Sequence, residues 1–90
     1  MIKPTVHLNG TSAQALFDGY REAGHAVRAA IEAVCLVYPH GRDYYVQGTE
    51  QVQAAVREHE ARAAALRAIL KDIDELIEHV LDTAKPGSVQ

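Results

Sequence analysis

The chain has 90 residues, of which 48% are apolar, and it carries a formal net charge of −3 at pH 7. This length allows one domain at most, the apolar content excludes a compositionally disordered chain, and the negative charge argues against a protein that coats DNA or RNA. Large apolar side chains are few, with one Phe, one Met and no Trp. A chain this small with an alanine-rich core is marginally stable alone, so it needs a staple, a metal or a partner chain.

The single cysteine, Cys35, excludes an internal disulfide, and we expect it to be a small core residue of a helix. No apolar run approaches the ~20 residues that a membrane span requires. The N-terminus lacks the charged and then apolar segments of a secretion signal. These features predict a cytoplasmic protein, in the cytosol of its host cell, that does not bind membranes.

Residues 1–10 are predicted to form an extended arm, because Thr5 to Leu8 have strand character and Asn9-Gly10 is a turn signal. Thr11 then has the character of a helix N-cap, and Gln14, three residues later, completes a capping-box pattern. A first helix is therefore predicted over residues 12–38, and Pro39 is expected to end it.

The first helix has an apolar face whose spacings alternate between four and three residues. The positions on this face are Leu16, Tyr20, Ala23, Val27, Ala30, Val34 and Val37. A flanking row seven residues apart consists of Phe17, Gly24, Ile31 and Tyr38. Glycine inside a helix costs about 1 kcal/mol relative to alanine, and the place of Gly24 in this row suggests the close approach of another helix.

A loop is predicted over residues 39–48, and a second helix over residues 49–83 with Thr49 as its cap and Glu50 favourably placed in its first turn. The apolar seam of this helix repeats at intervals of four and three without a break. The seam consists of Val52, Val56, His59, Ala63, Leu66, Leu70, Ile73, Ile77 and Val80. Residues 84–90 are predicted to be a flexible tail.

Two long helices joined by a ten-residue loop predict an all-α fold, an antiparallel two-helix hairpin with a short extended N-terminal arm. A two-helix hairpin leaves half of each wide apolar face in water, and such patches normally mark an interface. We therefore expect the hairpin to pack with copies of itself as a helical-bundle homo-oligomer with an even number of subunits.

The junction between the arm and the first helix is one candidate binding site. Asn9 and Thr11 flank a glycine turn at a helix N-terminus, where free backbone N–H groups and the helix dipole favour an anion. The alternative interpretation is an ordinary capped start of a helix.

The loop is the second candidate, because Arg42, Tyr44 and Tyr45 lie within four residues of each other. Arginine and tyrosine stack on bases and dominate interaction hot spots. The alternative is that the two tyrosines cover the open end of the bundle while Arg42 pairs with Asp43.

His59 is a polar residue in the apolar seam of the second helix. Such a residue can fix the register or the oligomeric state, or respond to pH. The alternative is a histidine that is hydrogen-bonded at the edge of the seam.

Known enzymatic patterns are incomplete in this chain. Glu22 and His25 form one half of a di-iron motif, whereas Glu75 and His79 are four residues apart and are predicted to point outward. We find neither a nucleophile–base set nor a phosphate-binding Gly-Lys loop. The sequence therefore predicts a protein that is not an enzyme, with no catalytic residues, metal or cofactor.

The segments HLNGT (7–11) and GRDYYVQG (41–48) resemble a group of small helical-hairpin proteins encoded by tailed phages and prophages. This likeness extends from the arm through the second helix and carries no established chemistry. The turn PHGRD (39–43) is also similar to the hairpin turn of phage cyclic-oligonucleotide sponges, which sequester immune signalling nucleotides. That similarity covers five residues, so it implies an anti-defence role without transferring any ligand-binding residue.

These features together predict a non-catalytic, phage-type binding protein that sequesters a small anionic host molecule such as an immune signalling nucleotide. Arg42, Tyr44 and Tyr45 are the expected contacts, and Asn9 and Thr11 are expected to add helix N-terminal donors. An antiparallel dimer would bring the arm of one subunit beside the loop of the other. The alternative is a protein–protein interaction module that docks onto a host enzyme or a virion component.

Overall fold

The computed structural model describes residues 1–84. All regular secondary structure in that range is helical, without a strand. Helix α1 spans Ala13–Cys35, the short helix α2 spans Gly41–Tyr44, and helix α3 spans Thr49–Ala84. A 3-10 helix, Tyr45–Gln47, lies between α2 and α3. The all-α prediction is confirmed. Of the predicted tail, Ala84 ends α3, and residues 85–90 lie outside the described residues.

The N-terminal arm has no regular secondary structure before α1, so the strand character of Thr5 to Leu8 is not realised. A single extended segment has no partner strand among residues 1–84, and isolated strands are not stable in water. The Asn9-Gly10 turn is present, because the Gly10 N–H donates to the His7 carbonyl oxygen at 3.1 Å.

Helix α1 is capped by Ser12, and the prediction of a Thr11 cap is wrong. The Ser12 hydroxyl oxygen accepts the Ala15 backbone N–H at 3.1 Å. Because the cap lies one residue later than predicted, Gln14 cannot complete a capping box; its side-chain amide instead donates to Asp18 at 2.9 Å.

The C-terminal end of α1 falls at Cys35, three residues before the predicted end. The Leu36 and Val37 N–H groups donate to carbonyl oxygens three residues back, at 3.2 and 3.1 Å, so the last turn is tightened. Pro39 disfavours helical backbone at the residue before it, and the chain leaves the helix just ahead of that position.

Helices α1 and α3 pack against each other in opposite directions. Tyr38, just beyond α1, lies against His59, whereas Gly24 in the middle of α1 faces Ile73 further along α3. Residue numbers therefore increase along α1 in the direction in which they decrease along α3, so the two helices are antiparallel. We call the end that carries residues 36–48 the loop end, and the opposite end, which carries residues 1–12, the arm end.

The core between the two helices is thin. Among residues 1–84, the buried apolar side chains are Ala63 and Val80, joined by the buried His59. The molecule measures 62 × 20 × 19 Å, and its radius of gyration of 19.3 Å far exceeds the roughly 12 Å of a compact chain of this length. Most apolar side chains are therefore only half-covered within one chain.

The predicted seam of α3 is confirmed, because all nine of its residues are buried or half-buried. On α1 the line of contact is rotated towards the predicted flanking row: Gly24 is buried, whereas Ala23 is exposed. The rotation also affects Cys35, which is exposed rather than a core residue.

Candidate functional site

The segment predicted as a loop is largely helical and forms a cap on the loop end. Helix α2 begins after His40, whose carbonyl oxygen accepts the Asp43 N–H at 3.0 Å. Gly48 ends the 3-10 helix with a positive φ of 110°, and its carbonyl oxygen accepts the N–H groups of Gln51 and Val52. This glycine turns the chain into α3, so Thr49 is the first helical residue rather than the residue before the helix.

The three residues predicted to bind a ligand at the loop differ in exposure. Arg42 is exposed and makes neither a hydrogen bond nor an ion pair with any of residues 1–84, so the alternative Arg42–Asp43 pair does not form in that range. Tyr45 is 70% exposed, whereas Tyr44 is half-buried. Tyr44 therefore helps to cover the end of the helices, and Arg42 and Tyr45 remain available for contact.

Exposed apolar side chains also occur at the loop end, close in sequence to this available pair. Leu36 is 87% exposed, Val46 is 85% exposed, and Val37 is also exposed. Solvent-exposed Leu and Val side chains that occur together normally mark an interaction surface. We call Leu36, Val37, Arg42, Tyr45 and Val46 the loop-end surface.

Asn9 and Thr11 lie at the arm end, so one chain does not bring them together with the loop-end surface. The 23 residues of α1 separate the two groups by about 35 Å. Both residues are exposed, and the N-cap role belongs to Ser12. The five predicted contacts therefore form two groups on one chain.

A cavity of about 370 Å³ lies beside the loop-end surface, and the sequence did not predict it. It is lined by Cys35, Tyr38, His59, Glu60, Ala63 and Arg67. The Tyr38 and His59 rings meet edge to face with centroids 5.0 Å apart, and the Tyr38 hydroxyl donates to Glu60 at 3.5 Å. The cavity thus joins residues from both long helices.

His59 is 5% exposed, and its ring nitrogens have no hydrogen-bond partner within residues 1–84. The hydrogen-bonded seam histidine that we considered is therefore not what forms. Arg67, on the same cavity, has no ion-pair partner in that part of the chain. Sequence patterns identify His59 as unusual, but the meeting of Cys35 and Tyr38 with Arg67 depends on the antiparallel pairing of two helices.

A second cavity, of about 340 Å³, lies at the arm end and is mainly apolar. Its lining consists of Ala13, Gln14, Phe17, Val80 and Leu81. Neither cavity is lined by Arg42, Tyr44 or Tyr45. These two cavities are therefore separate from the three residues predicted to bind a ligand at the loop.

Among residues 1–84, no three His, Cys, Asp or Glu side chains are grouped so that they would hold a metal ion. No helix in this range combines the length and the apolarity needed to cross a membrane.

Comparison of the chain with models of protein families, with curated proteins and with solved structures gives no match.

Proposed function

We propose that this chain is a non-catalytic interaction module that works as a homo-oligomer and docks onto a protein partner through its loop-end surface. The observation that carries this proposal is the exposure of Leu36, Tyr45 and Val46 at the same end as Arg42, which has no ion-pair partner within residues 1–84. Tyrosine and arginine are the residues most enriched at interaction hot spots. Fully burying a Leu or Val side chain contributes roughly 1.5–3 kcal/mol, so a partner that covers these residues gains substantial affinity.

A protein partner fits this surface better than a small molecule does. Small molecules bind in concave sites that bury most of their surface, and no residue of the loop-end surface lines either of the two cavities described above. Protein partners bind flat and convex surfaces, provided that apolar anchors are available. This order reverses the preference that the sequence suggested.

The homo-oligomer follows from the thin core. A pair of helices with so few buried side chains gains little from packing within one chain, and a second copy is the simplest source of further burial. An even number of subunits with self-complementary contacts satisfies this requirement.

Affinity capture with the wild-type chain and with Val46→Glu tests the docking proposal, with Ala61→Glu as a control at an exposed position in the middle of α3. A true partner is retained by the wild type and the control and is lost with Val46→Glu. With that partner purified, Val46→Glu is expected to weaken binding about tenfold or more. Equal binding by Val46→Glu and by Leu36→Glu would show that the partner uses another surface.

A second candidate function is the sequestration of a small anionic molecule, such as a phage-type anti-defence sponge performs on an immune signalling nucleotide. The cavity beside the loop-end surface favours it, because Arg67 and the ring nitrogens of His59 are unpaired there and Tyr38 supplies an aromatic wall. Glu60 lines the same cavity, so an anion would have to bind on the Arg67 side. Arg42, Tyr44 and Tyr45 would contribute from the loop, and Asn9 and Thr11 from a second copy.

Native mass spectrometry and thermal melts separate the two functions. A sequestered nucleotide adds mass to the oligomer and raises its melting temperature according to RT ln(1 + [L]/Kd). Arg42→Ala and Arg67→Ala are each expected to abolish that rise, whereas Arg57→Ala, at an exposed position elsewhere on α3, is expected to preserve it. If no nucleotide shifts the melting temperature of the wild type, sequestration is excluded and docking stands alone.

A further inference from the structure

The groove between α1 and α3 has two sides, and one of them is polar. One row of residues from each helix forms this side, and the residues within a row are seven positions apart. The α1 row consists of Gln14, Arg21, Arg28 and Cys35, and the α3 row consists of Glu60, Arg67, Asp74 and Leu81. Arg28 and Asp74 join the two rows through an ion pair at 3.7 Å. Both cavities also lie here, since Cys35 and Arg67 line one and Gln14 and Leu81 line the other. We call this side the polar flank.

The opposite side of the groove is almost entirely apolar. Its rows are Leu16, Ala23, Ala30 and Val37 with Ala55, Arg62, Ile69 and Leu76. None of these residues is buried, and Ile69, at the centre of the α3 row, is 49% exposed. We call this side the apolar flank; Arg62 is its single charged residue.

We infer that the apolar flank packs against the same flank of a second copy of this chain, with the two α3 helices antiparallel. This inference rests on the homo-oligomer of the proposed function and specifies its face and orientation. The chain exposes 6739 Å², about 1,600 Å² more than a compact monomer of its mass, because the thin helix pair and the irregular arm make it elongated. A standard interface buries about 800 Å² on each partner, and a flank that runs the length of two long helices can supply an area of that order.

Charge selects the second copy and its direction. Within α3, residues 49–67 contain three arginines and three glutamates, whereas residues 68–84 contain one lysine and five carboxylates. A parallel copy would place the acidic halves side by side. An antiparallel copy places the acidic half of each α3 against the half of the other in which arginines and glutamates balance, and so avoids this repulsion.

The position of Arg62 also favours an antiparallel second copy. It has no ion-pair partner within residues 1–84, and a parallel copy would set it beside a second Arg62. With Ile69 near the two-fold axis, an antiparallel copy places Arg62 beside residues 72–76 of its neighbour, where Asp72 supplies a carboxylate. The apolar flank is thus self-complementary in shape and charge, as a two-fold interface requires.

The first test compares the oligomeric state of three proteins by native mass spectrometry across a concentration series. The wild type is expected to form a dimer or a larger even oligomer. The Ile69→Glu oligomer is expected to dissociate at concentrations about tenfold higher or more than those at which the wild type dissociates. Ala68→Glu is expected to behave as the wild type, because Ala68 lies off the flank. Ala23→Glu provides a second disruption at an exposed position, and circular dichroism verifies that each variant remains helical. A helical Ile69→Glu or Ala23→Glu protein that stays fully oligomeric overturns the inference, while the homo-oligomer itself stands; a monomeric wild type overturns both.

Charge reversal tests the direction. Arg62→Glu and Asp72→Arg are each expected to weaken the oligomer, and the double variant is expected to restore it. Within one chain these residues are ten positions apart, or about 15 Å, so the restoration would have to come from contact between copies. If the double variant is as weak as the sum of the single variants, the antiparallel orientation is wrong.

Discussion

The His79 Nε2 atom lies 2.7 Å from the carbonyl oxygen of Pro4 and so fastens the N-terminal arm to the last turns of α3. The two residues are 75 positions apart, and this is the contact that holds an otherwise irregular segment in place. We predicted that His79 points outward, but it is half-buried beneath the arm. Because a carbonyl oxygen can only accept, the Nε2 nitrogen of His79 is the donor in this hydrogen bond.

Replacing His79 with alanine is expected to release the arm. Loss of one partly buried hydrogen bond lowers the free energy of unfolding by about 1 kcal/mol and leaves the α1–α3 pair intact. In NMR relaxation measurements, residues 2–8 should become more mobile in His79→Ala and stay unchanged in Glu78→Ala, whose side chain is exposed next to it. Equal mobility in both variants would mean that the arm is held by other contacts.

Replacing His59 with leucine is expected to raise the free energy of unfolding by about 1 kcal/mol. A leucine at this buried position of the apolar seam contributes roughly 1.5–3 kcal/mol of apolar burial, and the lost edge-to-face contact with Tyr38 offsets about 0.5–1.5 kcal/mol of that gain. Urea denaturation provides the measurement, with Tyr38→Leu as a companion that loses the ring contact but keeps the histidine. A less stable His59→Leu protein would show that water in the cavity satisfies the ring.

Gly48 and Gly41 are expected to respond oppositely to alanine. Gly48 has a φ of 110°, which an alanine side chain tolerates poorly, so Gly48→Ala should lower the free energy of unfolding by about 1–3 kcal/mol. Gly41 is in a helix, and a Cβ there meets no atom within 4 Å, so Gly41→Ala should be neutral or stabilising. Thermal unfolding of the two variants side by side tests this contrast. Equal losses would place the cause outside the backbone conformation.

Gly24→Ala is expected to stabilise the protein by about 1 kcal/mol through helix propensity. A Cβ at Gly24 would lie 3.6 Å from an Ile73 methyl carbon and 3.9 Å from one of Leu70, which are ordinary contact distances. The packing of one chain therefore does not require glycine, contrary to our interpretation of the sequence. A destabilised Gly24→Ala variant in urea denaturation would indicate that the helices approach more closely than this.

The seam of α3 was predictable because eight apolar residues and His59 repeat without interruption, whereas Arg62 interrupts the neighbouring apolar row. The face of α1 that contacts α3 was not predictable, because two adjacent rows of α1 are both mostly apolar. One passes through Ala23 and the other through Gly24, and periodicity alone cannot say which of them meets the neighbouring helix. The start of α1 was missed for a similar reason, since Thr11 and Ser12 are adjacent hydroxyl residues and both are good caps.

The composition of the loop predicted that Arg42 and Tyr45 are available for contact with a ligand or partner. It did not predict the cavity beside them. That cavity exists because Tyr38 meets His59, a contact between two helices whose register follows from packing along their whole length. No local pattern encodes this register. The exposure of Leu36 was also missed, because the tightened last turn of α1 releases a residue that the longer predicted helix would have included.

The uneven charge of α3 has a consequence for the response of the protein to salt. Carboxylates at Asp74, Glu78 and Asp82 follow each other at intervals of four, and they approach the negative end of the helix dipole. Added salt screens the repulsion among these carboxylates, so the C-terminal half of α3 in a separated chain becomes more stable as ionic strength rises. Between antiparallel copies the same salt weakens the attraction of Arg62 for Asp72 of the neighbouring copy. Salt thus acts in opposite directions on the folding of one chain and on the association of two.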